Sequence, residues 1–299
     1  TYSYDAYDAL ERVDFDASGE IRFRYDTHGR LASIELTEET IALSYDPTTG
    51  QLASAVTPEV ALDYYYDGAL PDRIYWTGAV SGNVSWSFDD NLRMVRERVN
   101  NTSADYLYDN DGLMVQAGEQ ALVRDPDNGF IESTTLGDIS SAYTYNVYGE
   151  VESHTAMSAL SGQLYQRSDS YDRLGRVIAR TETVLGETHE YEYAYDERGR
   201  LYRVLRDDTP VESYTYDSNG NRIAATTEAA GTVTASHDAQ DRLIGYGAVT
   251  YNHTSAGDII RKQDGAETTD YYYDRLGNLR QVDLPDTTAI EYLIDARGR

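Results

Sequence analysis

The chain has 299 residues, with 25 lysines plus arginines against 52 aspartates plus glutamates and a formal charge of −27. Without a basic stripe to meet phosphates, nucleic acid is not an expected partner; with zero cysteines, disulfides, thiolate catalysis and cysteine-ligated zinc drop out together. No apolar run is long enough to cross a bilayer, so no membrane insertion is expected of this segment, and no signal-peptide pattern stands at Thr1.

In chain order, the first clear element is Ile21-Arg22-Phe23-Arg24-Tyr25, whose apolar residues and arginines alternate as in a half-buried strand. It runs into Tyr25-Asp26-Thr27-His28-Gly29-Arg30-Leu31, a phrase preceded by a weaker copy at Phe15-Asp16 with Gly19. Degraded copies follow at Tyr45-Asp46 with Gly50, Tyr66-Asp67 and Phe88-Asp89, then a stronger one at Tyr108-Asp109 with Gly112. Arg124-Asp125 with Gly129 and Tyr145-Asn146 with Gly149 are weak again. The clearest run comes next: Tyr171-Asp172 with Gly175-Arg176-Val177, Tyr195-Asp196 with Gly199-Arg200-Leu201, and Tyr216-Asp217 with Gly220-Asn221. Between two of these, Glu190-Tyr191-Glu192-Tyr193-Ala194-Tyr195 puts three tyrosines on one strand face and glutamates on the other. His237-Asp238, Tyr251-Asn252, Tyr273-Asp274 with Gly277-Asn278-Leu279, and Ile294-Asp295 with Gly298-Arg299 complete the series.

These hubs lie mostly 20 to 26 residues apart, and softer turn signals fall midway, among them Thr37-Glu38-Glu39-Thr40, Leu185-Gly186, Asp207-Asp208 and Asp264-Gly265. Each period therefore holds two turns and two segments of strand length, one β-hairpin of chain. The expected fold class is all-β: tandem hairpins forming a continuous, curved or spiralling antiparallel sheet. No linker interrupts the period, so residues 1–299 are expected to be a single array, and both ends fall inside it, as in a fragment of a longer shell.

Hub chemistry explains the recurrence. Asp accepts N–H bonds from the residues after it, and Gly three positions later takes positive φ without Cβ strain. The tyrosine, at a strand end, is expected to stack on its equivalent in the next repeat, making an aromatic ladder with each hydroxyl near water or a polar partner. Arg30, Arg176 and Arg200 are expected to lie across neighbouring rings or to pair with an Asp of an adjacent turn. The hub residues singled out are Tyr25, Asp26, Gly29, Arg30, Tyr108, Asp109, Gly112, Tyr171, Asp172, Gly175, Arg176, Tyr195, Asp196, Gly199, Arg200, Tyr216, Asp217, Gly220, Tyr273, Asp274 and Gly277. Their role reads as structural, because architecture needs recurrence whereas catalysis needs a unique constellation; no catalytic, cofactor or metal residue is assigned.

The phrase, its spacing and the closing Tyr292-Leu293-Ile294-Asp295-Ala296-Arg297-Gly298-Arg299 resemble the YD-repeat, or Rhs-repeat, family, which includes bacterial Rhs toxins, the C components of insecticidal toxin complexes and the animal teneurins. The resemblance covers essentially the whole chain. It implies a β-sheet that spirals into a hollow shell, enclosing a C-terminal toxic domain in the toxins and forming part of an adhesion receptor in teneurins. The partners so implied are the rest of a longer chain and its cargo, with a surface glycan or receptor as the alternative, in a secreted or cell-surface, bacterial setting. The family's self-cleavage segment is marked by Asp-Pro-x-Gly downstream of the repeats; Asp125-Pro126-Asp127-Asn128-Gly129 begins similarly but sits mid-array and reads as a hub turn.

Other candidates have plainer readings. His28, His154, His189, His237 and His253 show no metal-ligand spacing. Asp109-Asn110-Asp111-Gly112 and Asp217-Ser218-Asn219-Gly220-Asn221 resemble calcium loops but have no closing Glu. Asn83, Asn100, Asn101 and Asn252 match the glycosylation acceptor pattern in a chain rich in Ser and Thr. Trp76 and Trp86 flank a turn where a sugar ring could stack, with strand packing the simpler reading. The acidic surface reads as a solubility device; its alternative is a face that holds a basic cargo or divalent cations.

Overall fold

The computed structural model describes residues 1–15, 19–37 and 39–298. Asp16, Glu38 and Arg299, read above as parts of a hub, a midway turn and the final hub, lie outside them. Among the described residues there are 29 strands and no helix long and apolar enough to cross a membrane. The fold is all-β, and chain neighbours pair antiparallel, as in Tyr191↔Arg206 and Tyr193↔Val204.

Strands form where the sequence alternates. Glu187–Tyr195 keeps Tyr191 and Tyr193 on the more covered face while Glu190 and Glu192 stay exposed. The midway turns are tight two-residue reversals. Leu185 and Gly186 (φ 50° and 91°), like Asp207 and Asp208 (φ 52° and 62°), occupy the left-handed region at both central positions, the geometry whose twist matches that of the flanking strands.

At the hubs the strands also slip register, which the alternation does not foretell. The shift falls just before the hub tyrosine: between Arg24 and Tyr25, Ser170 and Tyr171, Ala194 and Tyr195, Thr215 and Tyr216, and Tyr272 and Tyr273. Each slip is a β-bulge that inserts one residue into the outgoing strand and sharpens the local twist. Tyr195, for example, pairs with Leu201 whereas Ala194 pairs with Arg203, leaving Tyr202 as the extra residue.

The chain divides into two compact units: residues 1–104, 254–261 and 267–299 in the first, and 105–253 with 262–266 in the second. Unit 1 has an apolar core of Ala55, Val60, Leu62, Tyr64 and Ile74, against which Leu43, Trp76, Val84, Trp86 and Ala296 pack. Early and late segments meet inside this unit. The Arg275 guanidinium lies where a side chain on Gly19 would stand, within 1.8 Å of that Cβ position. Unit 2 buries fewer aliphatic side chains, chiefly Val204 and Ala225, and buries Asp169 among its strands.

Candidate functional site

The repeated hub closes three sets of bonds in turn. First, the Asp carboxylate caps its own turn. Oδ1 of Asp26 accepts the N–H groups of His28 (2.8 Å) and Arg30 (2.9 Å), Asp172 those of Leu174 and Arg176, Asp196 those of Arg198 and Arg200, and Asp274 those of Leu276 and Asn278. Gly199 (φ 81°) then carries the chain through the left-handed region.

Second, Oδ2 takes the side chain of the residue after the glycine. Arg30 Nε reaches Asp26 at 2.7 Å, Arg176 reaches Asp172 at 2.7 Å, and Arg200 reaches Asp196 at 2.8 Å. Where asparagine stands instead, Nδ2 makes the same bond, Asn221 to Asp217 at 3.0 Å and Asn278 to Asp274 at 2.9 Å. This explains why arginine and asparagine interchange there. The arginine pairs with the Asp of its own turn, correcting the expected pairing with an adjacent one.

Third, a hub with arginine after its glycine can grip the next, as three of them show. The Arg30 guanidinium lies 4.4 Å from the centroid of the Tyr45 ring, Arg176 4.5 Å from that of Tyr195, and Arg200 4.5 Å from that of Tyr216, each worth about 0.5–1 kcal/mol at exposed sites. The tyrosine hydroxyl donates back to the preceding hub: Tyr45 to the Leu31 carbonyl at 2.8 Å, Tyr195 to Val177 at 2.8 Å, and Tyr216 to Leu201 at 2.6 Å. Tyr25 and Tyr171 bond the carbonyls of Leu10 and Val151 in the same way. The direct tyrosine ladder is therefore replaced by alternating rings and guanidiniums. Hubs in one column are two strands apart, about 9–10 Å, too far for rings that need centroids within about 7 Å.

The electrostatics follow from this geometry. Asp26 is lowered to about 2, first by the backbone N–H of Arg30 and then by the Arg30 side chain and the His28 N–H, against the opposing effect of burial. Asp172, Asp196 and Asp217 are lowered by the corresponding bonds. A carboxylate so committed is a poor general base or cation ligand. The two loops resembling calcium sites are hub turns: Asp109 Oδ1 accepts the N–H groups of Asp111 and Leu113, and Asp217 Oδ1 those of Asn219, Gly220 and Asn221. Asp125 caps the turn through Asp127, with the Gly129 N–H on its carbonyl.

Among the described residues no group of three His, Asp or Glu side chains is placed to hold a metal ion. His189 lies between Asp207 (2.6 Å) and Glu187 (3.2 Å), and its pKa is raised, above all by the Asp207 bond. His154 stacks on Tyr143 with centroids 4.5 Å apart, and burial lowers its pKa. Trp76 and Trp86 pack against the unit 1 core, with Trp86 Nε1 donating to Glu97. Asn100 Oδ1 is taken by the Asn83 N–H.

Sequence reasoning missed a buried ion network in unit 2. Asp169, whose side chain is 2% exposed, meets Arg180 Nε at 2.7 Å and Arg167 Nε at 3.4 Å. Tyr165 donates to Glu182 nearby, and burial followed by the Glu212 bond lifts the Tyr214 hydroxyl to about 12. Arg167 and Asp169, two apart on a strand, share a face, a signal easily taken for a solvated pair in so polar a sequence.

A family model described as Teneurin YD-shell matches residues 2–299. Human teneurin-4 is 24% identical over 295 residues, which cover 93% of this chain and 10% of that protein. Teneurin-m of Drosophila melanogaster is 22% identical over 305 residues, covering 97% and 11%. Among solved structures, TcdB2-TccC3-Cdc42 superposes with a TM-score of 0.70 at 13% identity, over 94% of this chain and 19% of that one. TcdB2-TccC3 without its hypervariable C-terminal region gives 0.66 at 15% identity, over 94% and 16%. These structural likenesses are of fold. The chain spans about a tenth of the length of the teneurins it matches.

Proposed function

Since the chain belongs to the Teneurin YD-shell family, we propose that residues 1–299 act as one non-enzymatic array, a wall segment of a longer shell that encloses a C-terminal toxin or similar cargo. The carrying observation is the hub relay, in which the capped turns ending in Arg30, Arg176 and Arg200 clamp the tyrosine of the next hairpin. A relay of that kind adds hairpins without a separate core for each one, the requirement for a wall. The hub residues are its mechanical parts, and their polar groups are consumed by one another rather than offered to a substrate.

The proposed partners are the remainder of a much longer chain and the cargo, in a secreted or cell-surface protein of bacterial origin. The fold neighbour TcdB2-TccC3 has a hypervariable C-terminal region, which is the kind of cargo meant. The test is limited proteolysis with cross-linking mass spectrometry on the native polypeptide from its source. The expected result is a chain far heavier than 33.5 kDa, in which a segment outside this array cross-links to it and resists protease until the array is cut. A native mass near that value, or an equally sensitive segment with and without the array, overturns the proposal. Binding to a glycan array with no protected segment would replace it by the adhesion reading.

A further inference from the structure

The first hub, Tyr4-Asp5-Ala6-Tyr7-Asp8-Ala9-Leu10, is built like that of Asp26 except for one side chain. Oδ1 of Asp5 accepts the N–H groups of Tyr7 at 2.8 Å and Ala9 at 2.9 Å, as Asp26 does those of His28 and Arg30. Asp8 (φ 62°) stands at the position of Gly29. The Tyr25 hydroxyl donates to the Leu10 carbonyl at 2.9 Å, matching Tyr45 with Leu31 at 2.8 Å. The turn, its cap and the next tyrosine are therefore in place, but the residue at the position of Arg30 is Ala9.

Two groups are left over as a result. In the hub of Asp26, Oδ2 takes Arg30 Nε at 2.7 Å and the guanidinium lies 4.4 Å from the Tyr45 centroid. Asp5 Oδ2 has no such partner among the described residues, and no described cation or second ring stacks on Tyr25. Where two later hubs lack arginine, another side chain does part of its work. Phe130 lies 4.8 Å from the Tyr145 ring centroid, and Asn221 donates to Asp217 Oδ2 at 3.0 Å; Ala9 can do neither. Beside it is a cavity of about 880 Å³ with Asp5, Ala9, Glu11, Tyr25 and Asp26 among its walls. Arg24 also lines it but is already paired, with Glu35 at 3.3 Å and Glu11 at 3.6 Å. The excess of carboxylate favours a cation there. What opens the site is the identity of residue 9, and both halves, Asp5 and Tyr25, belong to unit 1.

We propose that this cavity is a binding site for an alkylguanidinium, from an arginine side chain or a free guanidino compound, which takes the place that Arg30 occupies in the next hub. The planar group donates to Asp5 Oδ2 and lies over the Tyr25 ring, the two contacts that Arg30, Arg176 and Arg200 make within the chain. An ammonium fits less well, because a compact point charge cannot present a donor edge to the carboxylate and a flat face to the ring at once. The site does not depend on what the array encloses.

The test is a titration of the intact protein with Nα-acetyl-arginine amide, followed by amide NMR shifts at about 0.1 M salt, where the Debye length is about 10 Å and diffuse attraction to the acidic surface is screened. Saturable shifts are expected at residues 5–11 and 24–29, with binding of Nα-acetyl-lysine amide weaker by about tenfold. Asp5→Asn should weaken the arginine probe roughly 10–100-fold, the effect of losing a hydrogen bond between charged groups. Asparagine keeps the turn cap, since Asn146 Oδ1 accepts the N–H groups of Tyr148 and Glu150. Ala9→Arg should abolish the shifts by filling the site from within, and Arg200→Ala should add a second saturable set around Asp196 and Tyr216 in unit 2. Shifts that are absent, unsaturable or spread evenly over the surface overturn the proposal, as do equal binding of the lysine probe, equal affinity in Asp5→Asn, or no second set in Arg200→Ala. Should Ala9→Arg fail to fold, Asp5→Asn decides. Tighter binding of the peptide Gly-Gly-Arg-Gly-Gly than of the amide supports the site with a polypeptide as the source of the arginine; equal affinity supports it with a free guanidino compound.

Discussion

The two units solve the same packing problem with different side chains. Unit 1 covers its inner face with aliphatic groups, Ala55 at 1%, Leu62 at 2% and Ile74 at 5% exposure. In unit 2, strands with the same antiparallel pairing present Tyr143 stacked on His154, Tyr165 bonded to Glu182, and Asp169 held between Arg167 and Arg180. The hubs in both are alike, as Asp26 with Arg30 and Asp196 with Arg200 show. The repeat therefore resides in the hub, which satisfies its own polar groups, and the face between hubs is free to be oily or ionic.

The largest test of that contrast is Asp169→Ala. It strands two guanidiniums on a covered face and is expected to cost about 3–5 kcal/mol in denaturant unfolding, whereas Arg167→Met with Asp169→Leu and Arg180→Met, which recasts the face in the manner of unit 1, should be neutral or stabilising by about 1–4 kcal/mol. A small loss in the first would mean that the network does not hold unit 2. Leu62→Ala should cost about 2–5 kcal/mol by leaving a cavity, with exchange rates rising in unit 1 rather than unit 2; uniform acceleration would abolish the distinction between them.

A smaller effect tests what the units share. Gly29→Ala and Gly199→Ala both force a Cβ into the left-handed region, φ 76° and 81°, at about 1–2 kcal/mol each. Near-equal losses by thermal denaturation sharpen the claim that the hub is common to both units. A loss at one site alone breaks it.

The pH response should be smaller still near neutrality. Asp26 in unit 1 and Asp196 in unit 2 are both lowered in the folded chain, so their stabilisation is present above the unfolded value near 3.8 and lost as pH falls through the folded one, about 2 for Asp26. Acid should loosen both units together. The shifted histidines lie in unit 2 and oppose each other. His154, lowered by burial, contributes above its ordinary 6.5 and loses that contribution as pH falls through its folded value. His189, raised by Asp207, contributes below 6.5 and loses it as pH rises through its folded value. His154→Phe and His189→Gln should remove the two opposite slopes of melting temperature against pH; a residual neutral-range slope in the double variant would locate it elsewhere.

The strands and both kinds of turn were legible because they depend on neighbours in sequence. Glu190-Tyr191-Glu192-Tyr193 alternates by residue type, and Asp196 caps Arg198 and Arg200 only two and four positions away. The candidate site was legible as hub residues but not as a relay. Arg176 meets Tyr195 and Tyr195 meets the Val177 carbonyl across an intervening hairpin, and the register slip between Ala194 and Tyr195 that sets this alignment leaves no mark in a pattern of period two.

Local order in this protein thus follows from its amino acids one repeat at a time: strand length, turn type, the acidic cap and the exchange of arginine for asparagine after the glycine. Folding in three dimensions supplied the rest, from the guanidinium between successive rings and the burial of Asp169 between two arginines to the seating of Ala296 and Arg297 on the core around Leu62. Short-range hydrogen bonds close within a few residues and can be read from them. Desolvation of an ion pair or covering of an apolar face depends on which distant strands arrive beside it, and chain spacing carries no record of that.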